Sequence, residues 1–168
     1  VRAKLPANQR RSRSRAPDRG FKPCRDRNCP VCDHLEVKDR VIKTVKCSST
    51  GEVLEMKSSM TCTTTNLVYC ITCKRGGRVC PTHPQYIGET SKSLRERLRG
   101  HRGTVVQPSQ VNTSAPVGLH FRQSNHSVCD LEIVPIERNR RDNITRKVRE
   151  SFFIKKFDTV ENGLNIKC

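Results

Sequence analysis

The stretch Thr65-Asn66-Leu67-Val68-Tyr69-Cys70-Ile71-Thr72, followed by Pro84-Gln85-Tyr86-Ile87-Gly88-Glu89 and then by SLRERLRGHR at 93–102, decides the fold. The first two pieces are short runs rich in β-branched and aromatic residues, bounded by turn formers, and are expected to be strands. The third places Leu94 and Leu98 one turn apart, the spacing of an amphipathic helix. Working outward, residues 115–123 suggest a short helix and CDLEIVPIE at 129–137 alternates as a third strand would. NITRKVRESFFIKKF at 143–157 gives the longest helix, with Phe153, Ile154 and Phe157 on its apolar stripe. The order strand, strand, helix, helix, strand, helix predicts an α+β domain with a small sheet.

Upstream, residues 21–62 contain two alternating segments flanking Ser49-Thr50-Gly51, a β-hairpin pattern. Residues 1–20 carry seven Lys/Arg and almost no large apolar side chain, so they are expected to form a flexible basic arm. Its RRSRSR core suits nuclear import or phosphate tethering, and a nuclear location is expected. The chain thus divides into an arm (1–20), a small N-terminal module (21–62) and an α/β unit (63–168).

Charge and composition narrow the function. The 33 Lys+Arg against 16 Asp+Glu leave a net +17, which calls for a polyanionic partner. No apolar run is long enough to span a membrane, and the first residues lack the apolar segment of a secretory signal. The sequons at Asn112, Asn125 and Asn143 are therefore read as chance, and the missing initiator Met as the mark of a fragment. Apolar residues make up only 33% and tryptophan is absent, so burial alone gives a small core.

Ten cysteines offer a remedy. Cys24-x4-Cys29-x2-Cys32 gathers three thiols across tight turns, and zinc closes its tetrahedron with a fourth ligand from among His34, Cys47 and Cys62. Cys70-x2-Cys73-x6-Cys80-x2-His83, with the Gly76-Gly77 turn between its pairs, has the spacing of a second four-ligand site. Zinc binding would then supply folding free energy that the core lacks. Cys129, on an alternating segment, reads as a small core residue.

The two tyrosines of the chain, Tyr69 and Tyr86, lie in the two strands of one expected hairpin, with Arg97 and His101 on the helix that follows. Leu67-Val68-Tyr69, Tyr86-Ile87-Gly88, Arg97, His101, Glu150 and Asn165 together resemble the GIY-YIG nuclease family. From Cys24 to Asn165 the chain is most similar to the endonuclease domain of Penelope-like retroelements: the C-x4-C-x2-C knuckle, a TGE hairpin, Thr61-Cys62 ahead of NLVY, then YIGETSKSLRERLRGHR. Leu67 and Val68 replace the glycine and isoleucine of the first signature. Tyr69 and Tyr86 stand seventeen positions apart, a longer hairpin than is usual in the family, which reads as a zinc-bound loop inserted between the strands.

The resemblance implies a mostly antiparallel three-stranded sheet flanked by helices, and a metal-dependent DNA endonuclease. It assigns one Mg²⁺ or Mn²⁺ to Glu150, phosphate clamping to Arg97, water activation to Tyr69 with His101 passing the proton on, orientation to Tyr86, close backbone approach to Gly88 and loop pinning to Asn165. His120 is a candidate for the family's second histidine. It favours Cys62 as fourth ligand of the first zinc site. Lys92, Arg95, Arg99 and Arg102 are expected to track the DNA backbone. By the same resemblance the cut would prime reverse transcription, so DNA, template RNA and a reverse transcriptase domain of the same parent polypeptide are the implied partners, with a dimer on DNA allowed. The rival expectations are a non-catalytic zinc-dependent nucleic-acid-binding module and a secreted disulfide-rich protein.

Overall fold

The computed structural model describes residues 18–35, 38–75, 77–82, 84–106, 115–123 and 126–166. The first seventeen residues of the expected arm, and His83, lie outside them. The central strand is β5 (Leu67–Arg75), buried over seven consecutive residues because the sheet is covered on both faces. It pairs antiparallel with β7 (Gln85–Thr90) on one edge and with β8 (Leu131–Arg138) on the other. A short β6 (Arg78–Val79) folds back on the end of β5, where Gly77 turns at φ +77°, so the sheet has four strands rather than the expected three.

Tyr69 faces Gly88 across the β5–β7 ladder and Ile71 faces Tyr86. On the other side the register with β8 jumps between Val68 and Tyr69, which lies opposite Pro135. Proline lacks the N–H that a ladder needs and is tolerated because β8 pairs on one side only. Such a bulge bends the strand and re-aims the side chain beside it, here Tyr69.

Three helices dress the sheet. α2 (Leu94–Val106) buries Leu94, Leu98 and His101, and α3 (Pro116–Phe121) packs against it. α4 (Asn143–Lys156) lies along β7 and β5, begun by Asp142, whose Oδ1 accepts from the Thr145 N–H at 2.6 Å. The sequence places α3 and α4 within two residues and the start of α2 within one, while α2 runs four residues past the expected end at Arg102.

The N-terminal module contains more structure than the hairpin foreseen there. β2 (Thr44–Lys46) and β3 (Val53–Glu55) form that hairpin, while β1 (Gly20–Lys22) runs parallel to β4 (Ser59–Thr61). α1 (Pro30–Asp33) is a single turn whose proline sits where a missing N–H is harmless. Phe21, Met56 and Met60 join Ile71, Leu98 and Phe153 in one continuous core. At the seam, Ser48 donates to Gln85 Oε1 from both its amide (2.8 Å) and its hydroxyl (2.9 Å), and the Ser49 hydroxyl donates to the Phe157 carbonyl at 2.9 Å. No helix among the described residues is long and apolar enough to cross a membrane.

Candidate active site and metal centres

Tyr69 is fully buried at the middle of β5 and its hydroxyl has two partners. Arg97 Nε donates to it at 2.7 Å, and His101 Nε2 lies 2.9 Å away. The tyrosine oxygen receives the Arg97 proton, so its own proton is directed at His101 Nε2. That donation requires an unprotonated Nε2 on the imidazole. Burial, and then the Arg97 charge, hold the His101 pKa down to about 3, so the ring is neutral. Burial likewise pushes the Tyr69 phenol well above its ordinary range, with Arg97 opposing the rise.

Tyr86 completes the pocket. Its ring centroid is 6.4 Å from that of Tyr69 and 5.8 Å from that of His101. Burial raises its phenol too, while the charge and hydrogen bonding of Arg97 pull the other way. Gly88 is obligatory here: a Cβ on it would stand 2.4 Å from the Tyr69 hydroxyl and 2.7 Å from Tyr86 Cε1. The two tyrosines therefore approach over a bare backbone.

Glu150 reaches the sheet from α4, as its place on the apolar stripe predicts. One carboxylate oxygen accepts from the Glu89 N–H at 3.0 Å, and the other takes no hydrogen bond among the described residues. Its neighbouring arginines are occupied elsewhere. Arg146 binds the Glu89 carboxylate together with Asn66 and Asn143, and Arg149 forks onto Glu137 at 2.9 and 2.7 Å. Burial first, then the Glu89 charge, raise the Glu150 pKa. Asn165 clasps the backbone of Ile87 on both sides, accepting from its N–H and donating to its carbonyl, each at 2.8 Å. The resemblance anticipated Asn165; Arg146, which the sequence offered with Arg149 as a candidate partner of Glu150, binds Glu89 instead, and Glu89 escaped the sequence reading because nothing in its spacing marks it.

Of the basic residues expected along DNA, Lys92 and Arg99 are exposed and Arg102 is partly so. Arg95 is not available in that way. Its Nη2 donates to Cys24 Sγ at 3.3 Å and to Asp26 Oδ2 at 3.1 Å, turning it toward the N-terminal module.

Among the described residues, two groups of side chains can hold a metal ion. Cys24, Cys29, Cys32 and Cys62 bring their sulfurs within 4.8 Å of one another. This set excludes the two other candidates for the fourth ligand: Cys47 contacts the Ser49 hydroxyl and the Phe157 carbonyl, and His34 lies toward the backbone of Cys129 and Leu131. Burial pushes the Cys24 thiol up, but hydrogen bonds from the Asp26 backbone, Cys29, Cys32 and Arg95 outweigh it and bring the pKa down to about 7, which suits a thiolate ligand. A tetrathiolate of this kind fits a closed structural zinc site.

The second group is Cys73, Cys80, His120 and His126, again within 4.8 Å. Cys73 and Cys80 of the expected Cys70, Cys73, Cys80, His83 set belong to it, Cys70 does not, and His83 lies outside the described residues. Cys70 and Cys73 lie three apart in an extended strand, so their side chains project to opposite faces and cannot meet at one ion. Cys70 is buried beside Thr72, on the side facing the β2–β3 hairpin. Cys80 returns to Cys73 through a 3.0 Å backbone hydrogen bond, and His126 Nε2 approaches Cys80 Sγ at 3.4 Å. His120 thus stands at this centre rather than beside the tyrosines. Cys129, expected in the core, is exposed in the 3₁₀ turn before β8.

Compared with family models, curated proteins and solved structures, the chain matches none of them.

Proposed function

We propose that the chain is a metal-dependent DNA endonuclease of the GIY-YIG type. The observation that carries this reading is the Tyr69 hydroxyl held between Arg97 and a neutral His101, beside Tyr86 and a half-buried, unpaired carboxylate at Glu150. A proton acceptor and a cation converge on this one oxygen, so that a proton can pass through it while the Arg97 charge opposes the rise that burial imposes on the phenol. His101 accepts the Tyr69 proton as the phenol oxygen takes one from an attacking water, and Arg97 offsets the charge that develops on the phenolate. Tyr86, on the open side of the same cation, positions the water or a phosphate oxygen.

Glu150 suits a divalent cation: it is a carboxylate set in a partly desolvated site, fixed by one backbone N–H, with an oxygen to spare and no arginine partner. A Mg²⁺ or Mn²⁺ bound there would supply Lewis-acid stabilisation of the phosphate and leaving oxygen, keeping most of its water shell because the protein offers a single carboxylate. The net charge of +17 provides the attraction for DNA. Priming of reverse transcription within a Penelope-like polypeptide, and a nuclear location, belong to the same proposal.

The test is conversion of supercoiled plasmid to open-circle or linear form by the zinc-loaded protein in Mg²⁺ or Mn²⁺, with omission of both ions as control. Glu150→Ala and Tyr69→Phe are each expected to lower the rate by about 10²-fold or more while retaining DNA binding. Intact plasmid alongside salt-sensitive binding would replace the enzyme with a zinc-dependent binding module.

A further inference from the structure

Three of four successive residues at the end of β8 are arginines: Arg138, Arg140 and Arg141. They line an open groove of about 630 Å³ between β4 and the start of α4, with Ser58, Ser59 and Thr145 among its walls. The groove has one carboxylate, Glu137, and Arg149 already grips both of its oxygens. Arg140 and Arg141 form no ion pair among the described residues. The Nε of Arg138 is buried with no hydrogen-bond partner. Burial and the charge of Arg140 both press on the Arg138 guanidinium, lowering its pKa.

Like charges gathered in this way, with a buried N–H left over, are destabilising unless an anion joins them. Guanidinium forks and hydroxyls are the donors that phosphate oxygens accept best. No aromatic side chain lines the groove, so it has no platform on which a base could stack.

We propose that this groove is a second nucleic-acid contact, a sequence-independent seat for consecutive phosphates of one strand, distinct from the tyrosine site. Thr145 and Arg149 face the groove from α4, whereas Glu150 faces β7, so the two sites flank one helix. The inference rests on reading the chain as a nucleic-acid protein and is independent of whether it cuts.

The test is binding of a short labelled duplex to the zinc-loaded protein with Mg²⁺ and Mn²⁺ left out, where cleavage is off and its failure has no bearing. The triple variant Arg138→Gln, Arg140→Gln, Arg141→Gln is expected to bind at least tenfold more weakly at moderate salt. Its slope of log affinity against log salt should shrink by about 2–3, at roughly 0.9 per phosphate contact. The control removes equal charge elsewhere, at exposed Lys22, Lys38 and Lys43, each to Gln, and is expected to change affinity less than threefold. Because Arg138 is partly buried, Arg140→Glu with Arg141→Glu, both exposed, provides a variant that keeps the fold, verified by its melting curve; it should weaken binding in the same direction. Equal losses in the arginine and lysine triples, or an unchanged salt slope, would overturn the proposal. So would anionic lipid vesicles that displace the duplex from the wild-type protein but bind the arginine triple poorly.

Discussion

The two metal clusters are built on opposite plans. In the first, three ligands lie within nine residues of chain and the fourth, Cys62, arrives on the turn that leads into β5. In the second, Cys73 comes from β5 and Cys80 from its connection to β7, and the others from α3 and the loop after it, some forty residues past Cys80. The first is bonded directly to the tyrosine site's helix. The amides of Leu94 and Arg95 donate to the carbonyls of Thr64 and Cys62, and the Arg95 side chain reaches Cys24. Arg97 and His101 ride on that helix, so the position of the first cluster sets the position of the candidate catalytic pair. The second cluster instead ties down the far end of α2's partner, α3. One centre aims the site, and the other closes its surroundings.

The largest effect should come from dissolving the first cluster. Cys29→Ser is expected to remove one zinc and to unfold residues 20–66 cooperatively, since structural zinc contributes on the order of 10 kcal/mol to such modules. Metal analysis and thermal melting measure both. A variant that lost zinc yet kept plasmid nicking would separate the cluster from α2 and break the comparison. His120→Ala should also lower zinc by one equivalent, with a smaller drop in stability of about 3–4 kcal/mol, the scale of a cross-link closing a loop of tens of residues. Cys70→Ser sharpens the contrast, because it should leave zinc content unchanged and lose only about 1–2 kcal/mol for burying a hydroxyl. If Cys70→Ser removed an equivalent of zinc and His120→Ala did not, the ligand set from the linear spacing would be reinstated.

The effect that is smallest near neutral pH concerns His101, which the first cluster positions. Its folded pKa lies near 3 against an ordinary 6.5, so below about 6.5 the unfolded chain takes up a proton that the folded chain does not. Stability therefore falls as pH falls through that window, by at most about 1.4 kcal/mol per pH unit for one proton. His101→Gln should flatten this slope relative to wild type in urea melts at successive pH values. An unchanged slope would mean that the ring is protonated or solvated in the folded protein.

Legibility in the sequence followed the range of the interaction. The strands at Leu67–Arg75 and Gln85–Thr90 and the helices at 94–106 and 143–156 were readable because periodicity is local. Cys24, Cys29 and Cys32 were readable for the same reason, and Cys62 needed the resemblance. His126 was out of reach, since its partners are set by how α3 docks, and Cys70 misled because its C-x2-C spacing was read as a ligand pair although a strand running on from Cys70 to Cys73 puts the two on opposite faces. Arg95 was one of four basic residues on one helix until the fold showed Asp26 and Cys24 beside it. The N-terminal module hid β1 and β4, three residues each, because two strands that pair across most of the module leave no local signature.

That parallel pairing has a kinetic consequence. Gly20–Lys22 and Ser59–Thr61 must find each other across the whole intervening chain, and closing such a loop is slow because its entropy is lost before any contact rewards it. Cys24 follows β1 and Cys62 follows β4 by a residue or two, so an ion captured between them closes nearly the same loop that the strands require. Metal capture and strand pairing are thereby one event. A chain emerging where zinc is scarce would wait with α2 undocked, and the tyrosine site would assemble only after the ion arrives.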